Sequence, residues 1–115
     1  MINSNFRGQI IQLHAQFCMG LADANRILIL YTLHEKPLIV SELAKEINLS
    51  QSTVSRHLKT LRIKGLVTAQ RNGQVVIYSL SDERIFQALD LLRMTMLDMF
   101  KKQASLATHN ISSVF

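Results

Sequence analysis

Along most of the chain, apolar residues recur every three or four positions, a spacing that predicts helices. Phe6, Ile10, Leu13 and Phe17 mark a first helix over residues 5–19. Asp23 is placed to cap a second, "ANRILILYTLHE", with Ile27, Leu28, Leu30, Tyr31 and Leu33 largely buried, and Pro37 stops it. Ser41 sits early in a short third helix that turns Leu43, Ala44 and Ile47 inward, and Asn48 ends it. Ser50 then caps a fourth helix over residues 51–64, with Gly65 as its natural stop. Val54, Leu58 and Leu61 form one stripe along this helix, and Ser52, Ser55, Arg56 and Lys59 lie opposite. Thr53 and His57 flank the stripe on one edge, Gln51 and Arg62 on the other.

The period then changes. "LVTAQ" and "VVIYSL" are short and β-branched, and "RNGQ" between them contains Asn72-Gly73, a hairpin signal. Asp82 restarts helix, which is expected to run to about Gln103, so that residues 1–105 form one domain and 106–115 a frayed polar tail. There is no internal repeat. The class is mainly α with a β-hairpin wing, in the order H-H-H-H-β-β-H. Two helices joined by the tight "NLS" connection and followed by a hairpin make a winged helix-turn-helix.

The fourth helix is oddly built for a purely structural one. Ser, Thr and Gln crowd its start, where other residues form helix better, and Arg, His and Lys follow. In helix-turn-helix proteins the second helix enters the major groove of DNA and reaches base edges from its N-terminal half. Short hydroxyls let a helix sit deep, Gln can bridge adenine, and Arg can bond guanine through two donors. On this reading Gln51, Ser52, Ser55, Arg56 and His57 read bases. Thr53, Lys59 and Arg62 hold phosphate, and Arg71 and Gln74 act from the wing.

Charge sharpens the picture. The chain of 115 residues carries a net charge of +5. Residues 47–81 contain no Asp or Glu but hold Arg56, Lys59, Arg62, Lys64 and Arg71, so this run alone matches the net charge. A single-signed stretch on a reading helix is the electrostatic footprint of a polyanion. With 48% hydrophobic residues the chain can bury one modest core.

"LADANRILILYTL", "SELAKEINLSQSTVSRHLKTLRIKGLV" and "GQVVIYSL" resemble the ArsR/SmtB-type winged-helix transcriptional repressors, continuously over about residues 20–80. The resemblance implies a dimeric repressor that binds a palindromic operator and lets go when a metal or other effector binds. The chain departs from the family pattern in three places. Ala24-Asn25 stands where Pro-Thr is common. The start of the third helix, Leu38-Ile39-Val40-Ser41-Glu42-Leu43, lacks the metal-binding Cys motif. The last helix keeps Asp90 and Asp98 but has no His before His109. Apolar side chains cannot replace thiolates as soft-metal ligands, so no metal site and no cofactor are expected.

The last helix argues for the dimer on its own. Ile85, Phe86, Leu89, Leu92, Met96, Met99 and Phe100 are apolar, and so are Leu91, Met94 and Leu97. That exceeds one core-facing stripe, so a second face is expected to meet another subunit, joined by Phe6, Ile10 and Phe17 of the first helix. The methionines read as adaptable packing rather than copper ligands, and His34 as a cation at a helix end.

The signal the protein answers to is hardly written in the chain. His14 and Cys18 are spaced i, i+4 and are the candidate effector-sensing pair; a lone Cys in an apolar helix is more often simply buried. One Cys forms no intrachain disulfide. There is no Gly-rich phosphate loop, nucleophile elbow or His-rich metal motif, so an enzyme is not expected. No signal peptide or membrane-span pattern is present, and a cytoplasmic protein is expected. The rival reading is a winged helix that docks proteins without specific DNA binding. Such a wing would tolerate acids in the basic run.

Overall fold

The computed structural model describes the backbone of residues 1–114 and the side chains of residues 1–106. The elements are α1 (Ser4–Leu13), continued by a π-helical segment (His14–Cys18), α2 (Ala24–Glu35), α3 (Val40–Ile47), α4 (Gln51–Ile63), strands β1 (Val67–Asn72) and β2 (Val75–Leu80), and α5 (Glu83–Val114). The chain divides into two compact units, Met1–Ile85 and Phe86–Phe115. The first holds every element up to the start of α5, and the second is the rest of α5. α5 runs on to Val114, past the expected end near Gln103 and through residues 106–114, where a frayed tail was expected; the side chains from 107 onward, His109 among them, lie outside the described residues.

The core of the first unit is built by α2, α3 and α4 with the start of the hairpin. Ile29, Leu30, Leu43, Val54, Leu58, Leu61 and Leu66 are fully buried, and Leu33, Leu38, Ala44 and Val67 nearly so. Asp23 caps α2 by accepting the N–H groups of Asn25 and Arg26 at 2.8 and 3.2 Å. The inward face of α2 is Ile29, Leu30 and Leu33, so Leu28, expected inside, is 49% exposed, and Ile27 and Tyr31 are half-buried. An unbroken apolar run does not say which third of the helix turns inward. Glu42 Oε1 accepts the Ile39 N–H at 3.2 Å and holds the start of α3. Asn48 ends α3 in the left-handed conformation (φ 56°), which Asn tolerates well.

The hairpin pairs Val67 with Leu80 through to Asn72 with Val75, antiparallel. This register puts Gly73 and Gln74 in the two-residue loop, and Gly73 alone of the two has positive φ (66°), so the turn starts at glycine and not at Asn72. The segment before α3 adds one rung that the pattern did not foretell. Leu38 and Tyr78 exchange backbone hydrogen bonds of 3.1 and 2.8 Å, which fastens the wing to the helix-turn-helix.

The first helix differs most from expectation. It is not one continuous α-helix over 5–19, because residues His14–Cys18 adopt the wider π turn. Neither α1 nor that segment buries a single side chain, and Phe6 and Ile10 are exposed. On α5, Leu89 is buried, whereas Leu92 is 67% exposed, and Leu91, Met94, Met96, Leu97, Met99 and Phe100 are exposed too. At the start of α5, Asp82 accepts the Arg84 N–H at 2.9 Å and its guanidinium at 2.8 Å. The hydrogen bonds from Arg84 hold that carboxyl at about 2. His34 Nδ1 lies 2.8 Å from Glu83 Oε2, so this histidine pairs with a specific acid beyond any general helix-end effect.

Candidate nucleic-acid interface

The turn between α3 and α4 sets up the reading helix. Ser50 accepts the Thr53 N–H at 3.2 Å, donates to Thr53 Oγ1 at 2.8 Å, and lies 3.2 Å from Ser52 Oγ. The cap therefore occupies part of Thr53's hydrogen-bonding capacity and leaves the side chain half-buried. Gln51, Ser52, Ser55, Arg56, Lys59 and Arg62 are exposed. Ser52, Ser55, Arg56 and Lys59 rise from the side of α4 away from Val54, Leu58 and Leu61, whose burial fixes the helix's rotation, and Gln51 and Arg62 stand on the edge beside that stripe.

Among the described residues, no carboxylate forms an ion pair with Arg56, Lys59, Arg62 or Arg71; the ion pairs present involve His34, His57, Arg84 and Arg93. Four cations of the acid-free run thus stand open to a polyanion. The fifth is committed elsewhere: Lys64 Nζ donates to the Ala15 carbonyl at 3.0 Å. In the wing, Arg71 and Gln74 are exposed at the tip of the hairpin.

His57 does not belong with the others. It is only 9% exposed, the one buried polar or charged residue among those described. Its Nε2 lies 3.9 Å from Asp23 Oδ1 at the cap of α2. A ring packed into the core is not offered to a base edge, and its assignment as a base reader is corrected to an internal contact between α4 and α2. The signal was available, since Val54, His57, Leu58 and Leu61 follow i, i+3, i+4, i+7. Burial works against ionisation of the Asp23 carboxyl, but the Arg26 and Asn25 N–H groups and the charges of His57 and Arg26 together hold it below its ordinary value.

Cys18, in the π-helical segment, is exposed and not buried as a lone Cys commonly is, and His14 in the same segment is exposed too. Among the described residues no group of three or more His, Cys, Asp or Glu is placed to hold a metal ion. No described helix is long and apolar enough to cross a membrane.

Residues 23–69 match the family model for "Bacterial regulatory protein, arsR family". The crystal structure of Mycobacterium tuberculosis Rv0081 superposes with a TM-score of 0.73 at 32% identity, over 83% of this chain and 96% of that one. The chain belongs to the ArsR/SmtB family of winged helix-turn-helix regulators. This is a family of transcriptional regulators, not of enzymes. Among other ArsR-type relatives, the HTH-type transcriptional regulator NmtR of M. tuberculosis is 42% identical over 76 residues, 66% of this chain. The transcriptional activator HlyU of Vibrio cholerae is 39% identical over 73 residues, 64% of this chain and 68% of HlyU. The match spans 63% of NmtR's length, just under two thirds. The family match takes in α2, α3, α4 and the first residues of β1, so the segment it shares is the helix-turn-helix itself.

Proposed function

We propose that the protein is a homodimeric repressor that binds a palindromic operator in double-stranded DNA. The observation that carries this reading is the exposed face of α4, where short hydroxyls and an amide precede cations that no acid among the described residues pairs with. Gln51, Ser52, Ser55 and Arg56 read bases in the major groove. Lys59 and Arg62 hold phosphates, Thr53 assists them with its remaining hydroxyl capacity, and Arg71 and Gln74 contact the backbone or minor groove from the wing.

Dimerisation is supported by the apolar surface that a lone chain leaves in water. α1 buries nothing, and α5 carries a run of exposed Leu, Met and Phe side chains. A second copy covers both helices, and the resulting two-fold axis presents two α4 helices to two half-sites. Repression follows if the operator overlaps the promoter. One relative is named a transcriptional activator. The absence of Cys from residues 38–43 separates this chain from members that use that motif for metal. A repressor acting on duplex DNA would work in the cytoplasm.

The test is selection of a binding sequence from a random duplex pool, followed by an anisotropy titration. Enrichment of a palindrome supports the reading. Weak, salt-sensitive binding with no enrichment would favour a winged helix that docks proteins.

A further inference from the structure

Gln16 and Lys64 are joined by hydrogen bonds that run in opposite directions between the same two segments. Gln16 Nε2 donates to the Lys64 carbonyl at 3.2 Å, and Lys64 Nζ donates to the Ala15 carbonyl at 3.0 Å. Lys64 is the C-cap of the recognition helix α4. Ala15 and Gln16 lie in the π-helical segment that follows α1. Short π turns recur where a helix has been adapted to a task. Here the turn presents a backbone carbonyl to Lys64 and an amide side chain to the end of α4.

Close packing backs up the two bonds. A Cβ on Gly20 would lie 2.8 Å from Leu66 Cδ1 and 3.3 Å from Lys64 Cβ and Cγ, and a Cβ on Gly65 would lie 3.4 Å from Gln16 Nε2. The chain just before α2 is itself held, because Arg26 donates from Nε to the Gly20 carbonyl at 2.6 Å and from Nη2 to the Met19 carbonyl at 3.3 Å. The C-terminal end of α4 is therefore gripped by a fixed neighbour.

We infer that Gln16 is a positioning residue for the recognition helix: it sets the tilt of α4 and so contributes to operator specificity without touching DNA. This rests on the DNA-binding reading above. α4 has 13 residues. At 1.5 Å per residue it is a lever of about 20 Å, so a tilt of about 5° at its C-cap carries Gln51 and Ser52 through close to 2 Å. That shift separates a formed from a broken hydrogen bond to a base. Contacts to phosphate, made by long flexible side chains, absorb it. Because α1 is one of the helices assigned to the dimer, the latch also ties each reading helix to the subunit contact.

The test uses Gln16→Met, which keeps length but removes the donor, Lys64→Met, and the double variant. Each is titrated by anisotropy against the selected palindrome and a scrambled duplex at several salt concentrations. Gln16→Met is expected to weaken palindrome binding roughly threefold to tenfold, with the scrambled duplex and the salt slope unchanged. The double variant is expected to lose less than the product of the single losses, because either break frees the same joint. The inference is overturned if Gln16→Met binds the palindrome like the wild type, or loses equally on both duplexes. It is also overturned if Lys64→Met flattens the salt slope, which would place that ammonium on phosphate. A wild type that selects no palindrome would sink the DNA-binding reading together with this one. A selected palindrome with an indifferent Gln16→Met would sink this one alone.

Discussion

Lys59 and Lys64 belong to the same acid-free run, yet the fold gives them different work, and salt dependence separates the two roles. Lys59 is exposed on the reading face of α4 with no acid paired to it, whereas the Lys64 ammonium is on the Ala15 carbonyl. With Lys59, Arg62 and Arg71 on phosphate, a dimer neutralises about six phosphates. At about 0.9 per phosphate, log K against log salt then has a slope of about −5. Raising salt from roughly 50 to 200 mM would therefore cost about 10³ in affinity. Lys59→Met removes one contact per protomer and should flatten the slope by about 1.8 for the dimer, on palindromic and scrambled duplexes alike. Lys64→Met should leave the slope where it was. Anisotropy titrations of a labelled duplex across that salt range give both numbers. Equal flattening by the two variants would refute the division of labour, and so would a loss from Lys59→Met confined to one sequence.

Other expectations follow from single residues. Arg56→Ala should cost about 1–3 kcal/mol of operator binding and relax preference at one base position; an unchanged selected sequence would remove Arg56 from the base-reading set. His57→Ala should destabilise the fold by about 1–3 kcal/mol in urea titration, because it empties a buried position, while leaving the preferred sequence unaltered. Ser50→Ala deletes the acceptor for the Thr53 N–H and should cost about 1 kcal/mol in thermal melts. The Asp82 carboxyl is held at about 2 against an ordinary 3.8 by Arg84. A depressed folded value means its stabilisation is complete above the unfolded value and disappears as pH falls from about 4 toward 2. Asp82→Asn should accordingly flatten the acid side of the stability profile in that window, which urea titrations at stepped pH would show.

Much of the fold was legible because local chemistry and tertiary packing agree. Asp23, Ser50 and Gly65 punctuate the helices where their side chains or lack of one require, and the change of period at residue 67 announces the wing. Where the structure departs from the sequence pattern, a long-range contact decides. Leu28 and Ile29 look alike in sequence, and only the position of α3 and α4 turns one out and the other in. The rung between Leu38 and Tyr78 is a pairing of backbone groups that side-chain patterns do not reveal. The π turn at His14–Cys18 has no sequence signature either. Its carbonyl and amide partners come from Lys64, some 48 residues away. For the candidate interface, the helical wheel already separated Ser52, Ser55, Arg56 and Lys59 from the buried stripe. His57 is a polar side chain at a position of the buried stripe, and its spacing from Val54 and Leu61 outweighs its chemistry. Exposure of Cys18 contradicts the statistical habit of lone cysteines, a habit that reflects cores and not an uncovered first helix.

The most direct measurement is selection from a random duplex pool, with the stoichiometry of the winning complex read by sedimentation. The expected winner is a palindrome whose half-sites are centred about one helical turn apart, roughly 34–36 Å or a multiple of it, bound by two chains. A pool that shows no enrichment, or an enriched single half-site bound by one chain, would contradict it.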